Sequence, residues 1–225
     1  MRFFSTELKL DSKSVMLSQE ESNHCVRVLR SREGAQVEIV NGKGLFAIGT
    51  ISKADPKKCL ITVNSCKYVD PTSEIHLGLA TTKQFERIEW FLEKAVELGL
   101  TKLTFIQCKN SERKKLRMDR LEKTAISAMK QSNRLYLPEI ESLVSVNQFI
   151  EQNPNGYIAH CSKGNKVDLN KIETSRPIII GPEGDFTWDE INCASELGYT
   201  PISLGNHRLR TETAALYAVC KMSLL

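Results

Sequence analysis

The chain has 225 residues, of which 41% are hydrophobic and 26% charged, and its net charge is +4 at pH 7. These values are ordinary for a globular protein of one or two domains, and the chain contains no apolar run long enough for a membrane helix. The N-terminus lacks the apolar stretch of a signal peptide, and the seven cysteines form neither a CxxC motif nor a Cys/His cluster. We therefore expect a cytoplasmic protein without disulfides or a bound metal.

The first seventy residues are predicted to be mainly β-structure. Ser18 and Glu21 are spaced as a capping box, which predicts a short helix that runs to about Leu29. The alternating segment AQVEIVNGKGLFAIGTISKA turns at Asn41-Gly42, a strong hairpin signal, and KCLITVNSCKYV supplies a further strand. Strands this closely spaced favour a small barrel, and the linker-like composition of DPTSE places a domain boundary at residue 70.

After that boundary, short apolar strands alternate with amphipathic helices. The strand-like segments are IHLGLATTK, KLTFIQC, GYIAHC, PIIIG and PISLG. The helical segments are QFERIEWFLEKAVELG, ended by Gly99, then LRMDRLEKTAISAMKQSNR, then TWDEINCASELG, opened by a Thr187/Glu190 capping box, and the C-terminal TETAALYAVCKMSLL. This alternation predicts an α/β domain over residues 71–225, with a parallel sheet and helices on both faces.

One segment carries the positive charge of the chain. Between Lys109 and Arg134 there are nine Lys or Arg residues and three acidic residues, so this basic window sums to +6 and the rest of the chain to −2. A solvated helix face is the commonest explanation of such a run. The functional explanation is a surface that attracts a polyanion.

Two late strands end in glycine, at Gly181 in GPEGD and at Gly205 in LGNHRLRTETA. Ligands of open α/β sheets bind at the carboxyl ends of strands, and glycine lets a ligand approach bare backbone. We expect the two loops to form the walls of one pocket, although either glycine could serve only to turn the chain. P-loop, GxGxxG, GxSxG and HExxH motifs are absent, and the four isolated histidines are expected to be structural.

GPEGDF (181–186), followed by LGNHRLRTETA (204–214), resembles the RsmE family of ribosomal RNA uridine-N3 methyltransferases, which belongs to the SPOUT class. HCVRVLR with a downstream NGKG, EKAVELG at 93–99 and KQSNR at 130–134 follow in the family's order, so the resemblance spans essentially the whole chain. It implies a PUA-like RNA-binding β-barrel in residues 1–70 and a trefoil-knotted α/β methyltransferase domain in residues 71–225. It also implies a homodimer that methylates N3 of a uridine in 16S ribosomal RNA, within the assembled small subunit.

The chain departs from the family pattern at a few positions. Asp185 stands where the family usually has a second glycine, and Asp tolerates unusual backbone dihedral angles better than most residues. His207 and Arg208 stand where Arg and Ile are common. These departures bear more on substrate contacts than on cofactor binding.

The resemblance implies a site for S-adenosylmethionine between the two glycine-ended loops. Because the cofactor's methyl group is already activated, the enzyme must place the uridine N3 and handle its proton. Arg210 is the cation expected to hold a uracil carbonyl oxygen, and Glu183 or Glu212 is the expected base. Glu212 could instead complement a helix dipole, and Glu183 could hold its own loop. The implied cofactor contacts are Ile180, Gly181, Pro182, Glu183, Gly184, Leu204, Gly205, Leu209, Arg210 and Thr213.

RNA phosphates are expected on two surfaces, where they would position the enzyme without reading sequence. The expected contacts are Arg27, Arg30 and Arg32 near the N-terminus, and Arg113, Lys114, Lys115, Arg117 and Arg134 in the basic window.

Three other functions are also consistent with the sequence. They are a SPOUT methyltransferase acting on transfer RNA or a ribose 2'-hydroxyl, a non-catalytic RNA-binding assembly factor, and an α/β enzyme for a small anionic metabolite. LRTETA disfavours the ribose methylators, which tend to show SLNVS there, and the intact loops disfavour the assembly factor.

Overall fold

The computed structural model describes residues 1–72, 74–112 and 115–225. The described residues divide into two compact units. The first unit consists of Met1–Thr72 together with Ile126–Leu137, and the second contains the rest of the described chain. A segment from the middle of the chain therefore belongs to the N-terminal unit, and the domain boundary at residue 70 stays a prediction.

The first unit is built on a five-stranded sheet in the order β1-β3-β4-β5-β2. Strand β1 runs parallel to β3, and the other neighbours are antiparallel. Alternate side chains of these strands, among them Phe3, Ile39 and Ile61, are fully buried in one core. The strands are β1 (Arg2–Phe4), β2 (Ser14–Met16), β3 (Gln36–Val40), β4 (Leu45–Lys53) and β5 (Leu60–Tyr68).

The predicted hairpin at Asn41-Gly42 is confirmed, because it joins β3 to β4. The Asn41 side-chain oxygen accepts the amides of Lys43 at 2.8 Å and Leu45 at 3.0 Å, and Gly42 takes a φ of 72°. Gly44 has a φ of 88°, and a Cβ there would lie 2.3 Å from the hydroxyl oxygen of Tyr136. The turn therefore needs glycine both for its backbone and for the close approach of the 126–137 segment.

Helix α1 (Gln19–Asn23) begins after Ser18, whose hydroxyl accepts the amide of Glu21 at 3.2 Å, and continues as a π-helical turn, His24–Val28. The Ser18 half of the predicted capping box is therefore present. The Glu21 half of the prediction is wrong, because the Glu21 carboxylate forms an ion pair with Lys130. Glu21 is only 8% exposed, and a buried carboxylate is stabilised far more by a cation than by a helix-end amide.

The second unit is built on a parallel sheet in the order β10-β12-β9-β11-β6-β7-β8. Helix α2 packs against α6, and α4 against α5. Its elements are β6 (His76–Ala80), α2 (Phe85–Leu98), β7 (Lys102–Gln107), β8 (Glu139–Ser145), α4 (Val146–Gln152), β9 (Tyr157–Ala159), β10 (Val167–Asp168), β11 (Ile178–Ile180), α5 (Trp188–Glu196), β12 (Thr200–Ser203) and α6 (Thr211–Met222). Helix α3 (Met118–Gln131) begins in this unit, and from Ile126 onwards it belongs to the first unit.

Two predicted helix ends are confirmed, and three elements were not predicted. Helix α2 ends at Gly99 with a left-handed φ of 96°, and both bonds of the Thr187/Glu190 capping box are present at α5. The elements β8, α4 and β10 were missed. Strand β8 lies at the sheet edge with many half-exposed residues, and β10 has only two residues, so neither has a clear hydrophobic period. Helix α4 buries Val146, Phe149 and Ile150 at helical spacing, but it is only seven residues long.

The order of strands brings three carboxyl ends together. Strand β9 lies between β11 and β12, with Ala159 opposite both Ile180 and Ile202. The loops that follow these three strands therefore start side by side, which is where open α/β sheets bind ligands. No helix in the three described ranges is both long and apolar enough to span a bilayer. The trefoil knot stays a prediction.

Candidate active site

A cavity of about 610 Å³ lies at the carboxyl ends of β9, β11 and β12. Its charged lining consists of three cations, Lys166, Arg208 and Arg210, and two anions, Glu183 and Asp185, so it carries a net charge of +1. Its apolar lining includes Ala159, Ile180, Ile202, Leu204, Leu209 and Ala214. This is a concave, mostly apolar site with a few charged groups, the arrangement typical of small-molecule sites.

The structure brings eight of the ten predicted cofactor contacts to this cavity. Gly184 and Thr213 are the two that do not line it. On α6 the lining residues are instead Thr211 and Ala214, which are three positions apart and share a helix face, whereas Thr213 is exposed. The eight that line the cavity are Ile180, Gly181, Pro182, Glu183, Leu204, Gly205, Leu209 and Arg210.

The Gly181–Asp185 loop needs its glycines because other groups approach it closely. A Cβ at Gly181 would lie 2.9 Å from the Phe186 ring, and one at Gly184 would lie 2.9 Å from Cβ of Asn110. Asp185 has a φ of 61°, an unusual backbone conformation that Asp tolerates better than most residues. Both glycines therefore serve close packing of the loop.

The same loop is tied to its surroundings by side chains. The buried hydroxyl of Thr211 donates to the Gly181 carbonyl oxygen at 3.1 Å. The side-chain amide nitrogen of Asn110 donates to the carbonyl oxygens of Gly184 and Asp185, at 3.0 Å each. These bonds hold the backbone of the loop in one conformation.

Arg210 and Glu183 both present charged groups to the cavity. Arg210 is the N-cap residue of α6 and is exposed, as is Glu183. Within the described chain, neither side chain has a hydrogen bond or an ion pair in the structure. A ligand in the cavity therefore meets a cation and a carboxylate that are not already neutralised. Their catalytic roles stay predictions.

Glu212 is placed differently from Glu183. It is 7% exposed, lies outside the cavity lining, and its Oε1 is 3.6 Å from Nε of Arg87 on α2. Its Oε2 is buried without a hydrogen-bond partner in the described chain. In this geometry Glu212 joins α6 to α2 and does not face the position of a ligand.

His160 and Lys166 line the cavity and were not predicted as site residues. Both ring nitrogens of His160 are buried without a hydrogen-bond partner in the described chain, and Nζ of Lys166 donates to the His160 carbonyl oxygen. Burial, followed by the charge of Lys166, lowers the pKa of His160, so its ring is neutral at pH 7. The predicted strand GYIAHC includes His160, but this segment has no glycine at its carboxyl end that would indicate a ligand site.

The predicted RNA contacts are divided between the two units. Arg27, Arg30 and Arg32 are exposed in the first unit, where Arg30 has a left-handed φ of 54°; Arg134 belongs to the same unit. Lys115 and Arg117 are exposed in the second unit. The guanidinium carbon of Arg117 lies 4.8 Å from the ring centroid of Phe85. Arg113 and Lys114 lie outside the described residues.

Comparison with known proteins now identifies the family. A family model described as the RNA methyltransferase PUA domain matches residues 17–64, and one described as the RNA methyltransferase domain matches residues 70–223. The ribosomal RNA small subunit methyltransferase E of Buchnera aphidicola is 31% identical over 221 residues, which cover 90% of this chain and 85% of that protein. The chain belongs to the ribosomal RNA small subunit methyltransferase E family. The resemblance read from GPEGDF and LGNHRLRTETA is thereby confirmed.

Solved structures of methyltransferase E relatives share the fold over nearly the whole chain. The enzyme of Neisseria gonorrhoeae, bound to S-adenosyl methionine, has a TM-score of 0.86 at 25% identity, with 98% of this chain and 96% of that chain covered. A Legionella pneumophila protein in complex with the same cofactor has a TM-score of 0.88 at 27% identity, covering 99% and 96%. The predicted fold class, a PUA domain followed by a SPOUT-class α/β methyltransferase domain, is confirmed.

Proposed function

We propose that this protein transfers a methyl group from S-adenosylmethionine to N3 of a uridine in 16S ribosomal RNA, within the assembled small subunit. One observation carries the proposal. The loops after β9, β11 and β12 enclose a cavity to which Arg210 and Glu183 present charged side chains that have no partner among the described residues. Family membership supports the reaction class, since the matched model describes RNA methyltransferases.

The cavity fits S-adenosylmethionine in size and in lining. Its volume of about 610 Å³ falls within the range of roughly 300–1,000 Å³ that small-molecule sites occupy. Ile180 and Leu209 would pack against the faces of the adenine ring, and the lining carries both cationic and anionic side chains, which suits a zwitterionic amino-acid end. When bound, the cofactor supplies a methyl group already activated by its sulfonium.

Arg210 would stabilise the reacting uracil. Uridine N3 carries a proton at neutral pH and becomes a nucleophile when that proton leaves, so negative charge spreads onto the uracil carbonyl oxygens. The guanidinium of Arg210 offers a planar set of donors to such an oxygen, and in this structure no carboxylate of the described chain competes for it. We therefore assign Arg210 the role of electrostatic stabiliser.

Glu183 is the better placed base of the two carboxylates. It lines the cavity and is exposed, whereas Glu212 lies outside the lining and pairs with Arg87. Because a base must come within hydrogen-bond reach of the proton it takes, we assign proton removal from N3 to Glu183 and a structural role to Glu212.

Ribosomal RNA would be bound by the exposed cations of both units. Arg27, Arg30, Arg32 and Arg134 would contact phosphates from the first unit, and Lys115 and Arg117 from the second. The contact between Arg117 and the Phe85 ring supports this role, because it orders a long cationic side chain at the surface. The target base would leave its stack to enter the cavity.

The proposal includes a cytoplasmic homodimer. Trp90 on α2 and Tyr217 on α6 are 45% and 39% exposed, and α2 packs on α6. Exposed aromatic side chains are common at subunit contacts, which supports an interface that involves these helices. Sedimentation equilibrium of the purified protein tests this part of the proposal.

Methylation is tested with purified protein, labelled S-adenosylmethionine and small ribosomal subunits from cells that lack the endogenous activity. Primer extension then locates the product, because a methyl group on N3 blocks base pairing and stops reverse transcriptase. We expect label in the RNA and one new stop at a uridine, both abolished by Arg210→Ala. Incorporation without a stop would instead indicate a ribose or another non-pairing position. Label in transfer RNA alone would favour a SPOUT methyltransferase that acts on transfer RNA. A protein that binds no cofactor would favour the non-catalytic assembly factor.

A further inference from the structure

The backbone carbonyls of the Gly181–Asp185 loop are all engaged in hydrogen bonds. One donor is the loop's own Asp185 amide and the others come from three other segments of the second unit, so the loop is held from several sides. The bonds are Thr211 Oγ1 to Gly181 O, the Asp185 amide to Pro182 O, Arg208 Nη2 to Glu183 O, and Asn110 Nδ2 to both Gly184 O and Asp185 O.

Two contacts connect this loop to the other two loops of the cavity. Oδ2 of Asp185 accepts the amide of Cys161, which follows β9, at 2.8 Å. Nη2 of Arg208, which follows β12, donates to the carbonyl oxygen of Glu183 at 2.9 Å. The loop after β11 is thus bonded both to the loop after β9 and to the loop after β12.

Both contacts depend on the residues at which this chain departs from the pattern it resembles. Glycine at 185 has no carboxylate, and isoleucine at 208 has no donor, so neither bond could form with the commoner residues. Asp185 also suits the position, because it takes the φ of 61° and its Oδ1 accepts the amide of Phe186 at 2.9 Å. One side chain therefore stabilises its own turn and bonds the neighbouring loop.

We propose that Asp185 and Arg208 form a clasp that holds the three cavity loops in their binding arrangement before the cofactor enters. The inference rests on the proposed function, since it takes S-adenosylmethionine as the ligand of this cavity. Both are positioning residues and need not touch the reacting atoms. A preformed site loses less conformational entropy on binding, and loosening it mainly accelerates dissociation.

The clasp is tested with Asp185→Gly, Asp185→Asn, Arg208→Ile and the Asp185→Gly/Arg208→Ile double variant. Glycine and asparagine both tolerate the left-handed backbone at 185, so the fold is retained, and asparagine keeps one acceptor. Lys163→Ala and Asp189→Asn are matched controls, since both residues are exposed and lie outside the cavity lining. Calorimetry and stopped-flow displacement give the affinity and the dissociation rate of S-adenosylmethionine. Hydrogen exchange of the Glu183 and Gly184 amides is measured in the cofactor-free protein.

Each lost bond is expected to weaken cofactor affinity by about 2- to 12-fold, mostly through faster dissociation. Asp185→Asn should fall between wild type and Asp185→Gly, and the loop amides of the variants should exchange faster without cofactor. Wild-type dissociation and exchange rates in Asp185→Gly and Arg208→Ile would overturn the clasp, as would a lower melting temperature with unchanged cofactor dissociation. A wild-type protein that binds no S-adenosylmethionine would overturn the proposed function instead, and hydrogen exchange would still decide the clasp.

Discussion

The hydroxyl of Thr211 donates a buried hydrogen bond of 3.1 Å to the carbonyl oxygen of Gly181. This bond joins the first residue of α6 to the end of β11, the two elements whose adjoining loops carry Arg210 and Glu183. It therefore holds the start of α6 against the end of β11, beside the residues that carry the proposed cation and the proposed base. Thr213, two residues further along α6, cannot replace it because it faces solvent.

Replacement of Thr211 by valine removes this hydroxyl while keeping the shape of the side chain. The buried Gly181 oxygen would then lack a partner, and we expect the free energy of unfolding to fall by about 1–3 kcal/mol. Thr211→Ser, which keeps the donor, should lose less than Thr211→Val. Urea denaturation of the three proteins measures the difference, and a valine variant as stable as wild type would show that the bond contributes nothing.

Substitution of Glu183 should affect mainly the methylation rate, whereas substitution of Glu212 should affect mainly the stability of the fold. Glu183→Gln is expected to lower the single-turnover methylation rate by about 10²–10⁴-fold, the usual contribution of a general base, with little change in stability. Glu212→Gln should instead leave the rate within about tenfold and lower the free energy of unfolding by about 1–3 kcal/mol. That cost is below the range for fully buried pairs because the Arg87 side chain is 30% exposed.

Quench-flow methylation of small subunits and urea denaturation separate these two effects. Glu183→Asp is the matched control, since it retains a carboxylate at the cavity. A full methylation rate in Glu183→Gln together with a large loss in Glu212→Gln would reverse the assignment of the base.

Gly181→Ala tests the close approach of Phe186 to the cavity loop. The added methyl group would lie 2.9 Å from the Phe186 ring, so the loop or the ring must move. We expect a loss of about 1–3 kcal/mol in the free energy of unfolding and weaker cofactor binding. The double variant Gly181→Ala/Phe186→Leu should bind the cofactor better than Gly181→Ala alone, because the ring that causes the clash is gone. No recovery in the double variant would rule out this clash as the cause.

Stability should fall in acid because of His76 at the start of β6. Burial, followed by the charge of Lys102, lowers the pKa of His76 to about 4 from its ordinary value of 6.5, although Glu141 opposes this effect. Between pH 6.5 and pH 4, His76 is therefore protonated in the unfolded chain and neutral in the folded chain. The stabilisation is therefore complete above pH 6.5 and is lost as the pH falls from 6.5 towards 4. The loss is at most about 3 kcal/mol, and less after allowance for partial exposure.

His76→Gln isolates this contribution, because glutamine does not titrate and its amide can still bond the Thr104 hydroxyl, which lies 2.9 Å from the His76 ring nitrogen. Free energies of unfolding are compared at pH 7.5 and pH 5. Wild type should lose more stability between these pH values than His76→Gln. Equal losses would assign the acid sensitivity to other groups.

Much of this protein was predictable from local sequence pattern. Asn41-Gly42, Gly99 and the Thr187/Glu190 pair mark a turn, a helix end and a helix start through contacts within a few residues of each other. GPEGDF and LGNHRLRTETA indicated the family through their resemblance to its motifs, and the glycine-ended strands by themselves predicted a ligand site at the carboxyl ends of the sheet. Eight of the ten predicted cofactor contacts accordingly line the cavity.

Other features are decided only by tertiary contacts, which local pattern does not encode. Glu21 pairs with Lys130 across more than a hundred residues of chain, so its spacing from Ser18 gave a misleading capping signal. His160 and Lys166 enter the cavity because β9 lies between β11 and β12, an order that follows from strand pairing. Glu212 is turned towards Arg87 by the packing of α6 on α2. Charge and residue type thus specified the chemistry of the site, and the packing of distant segments decided which side chains reach it.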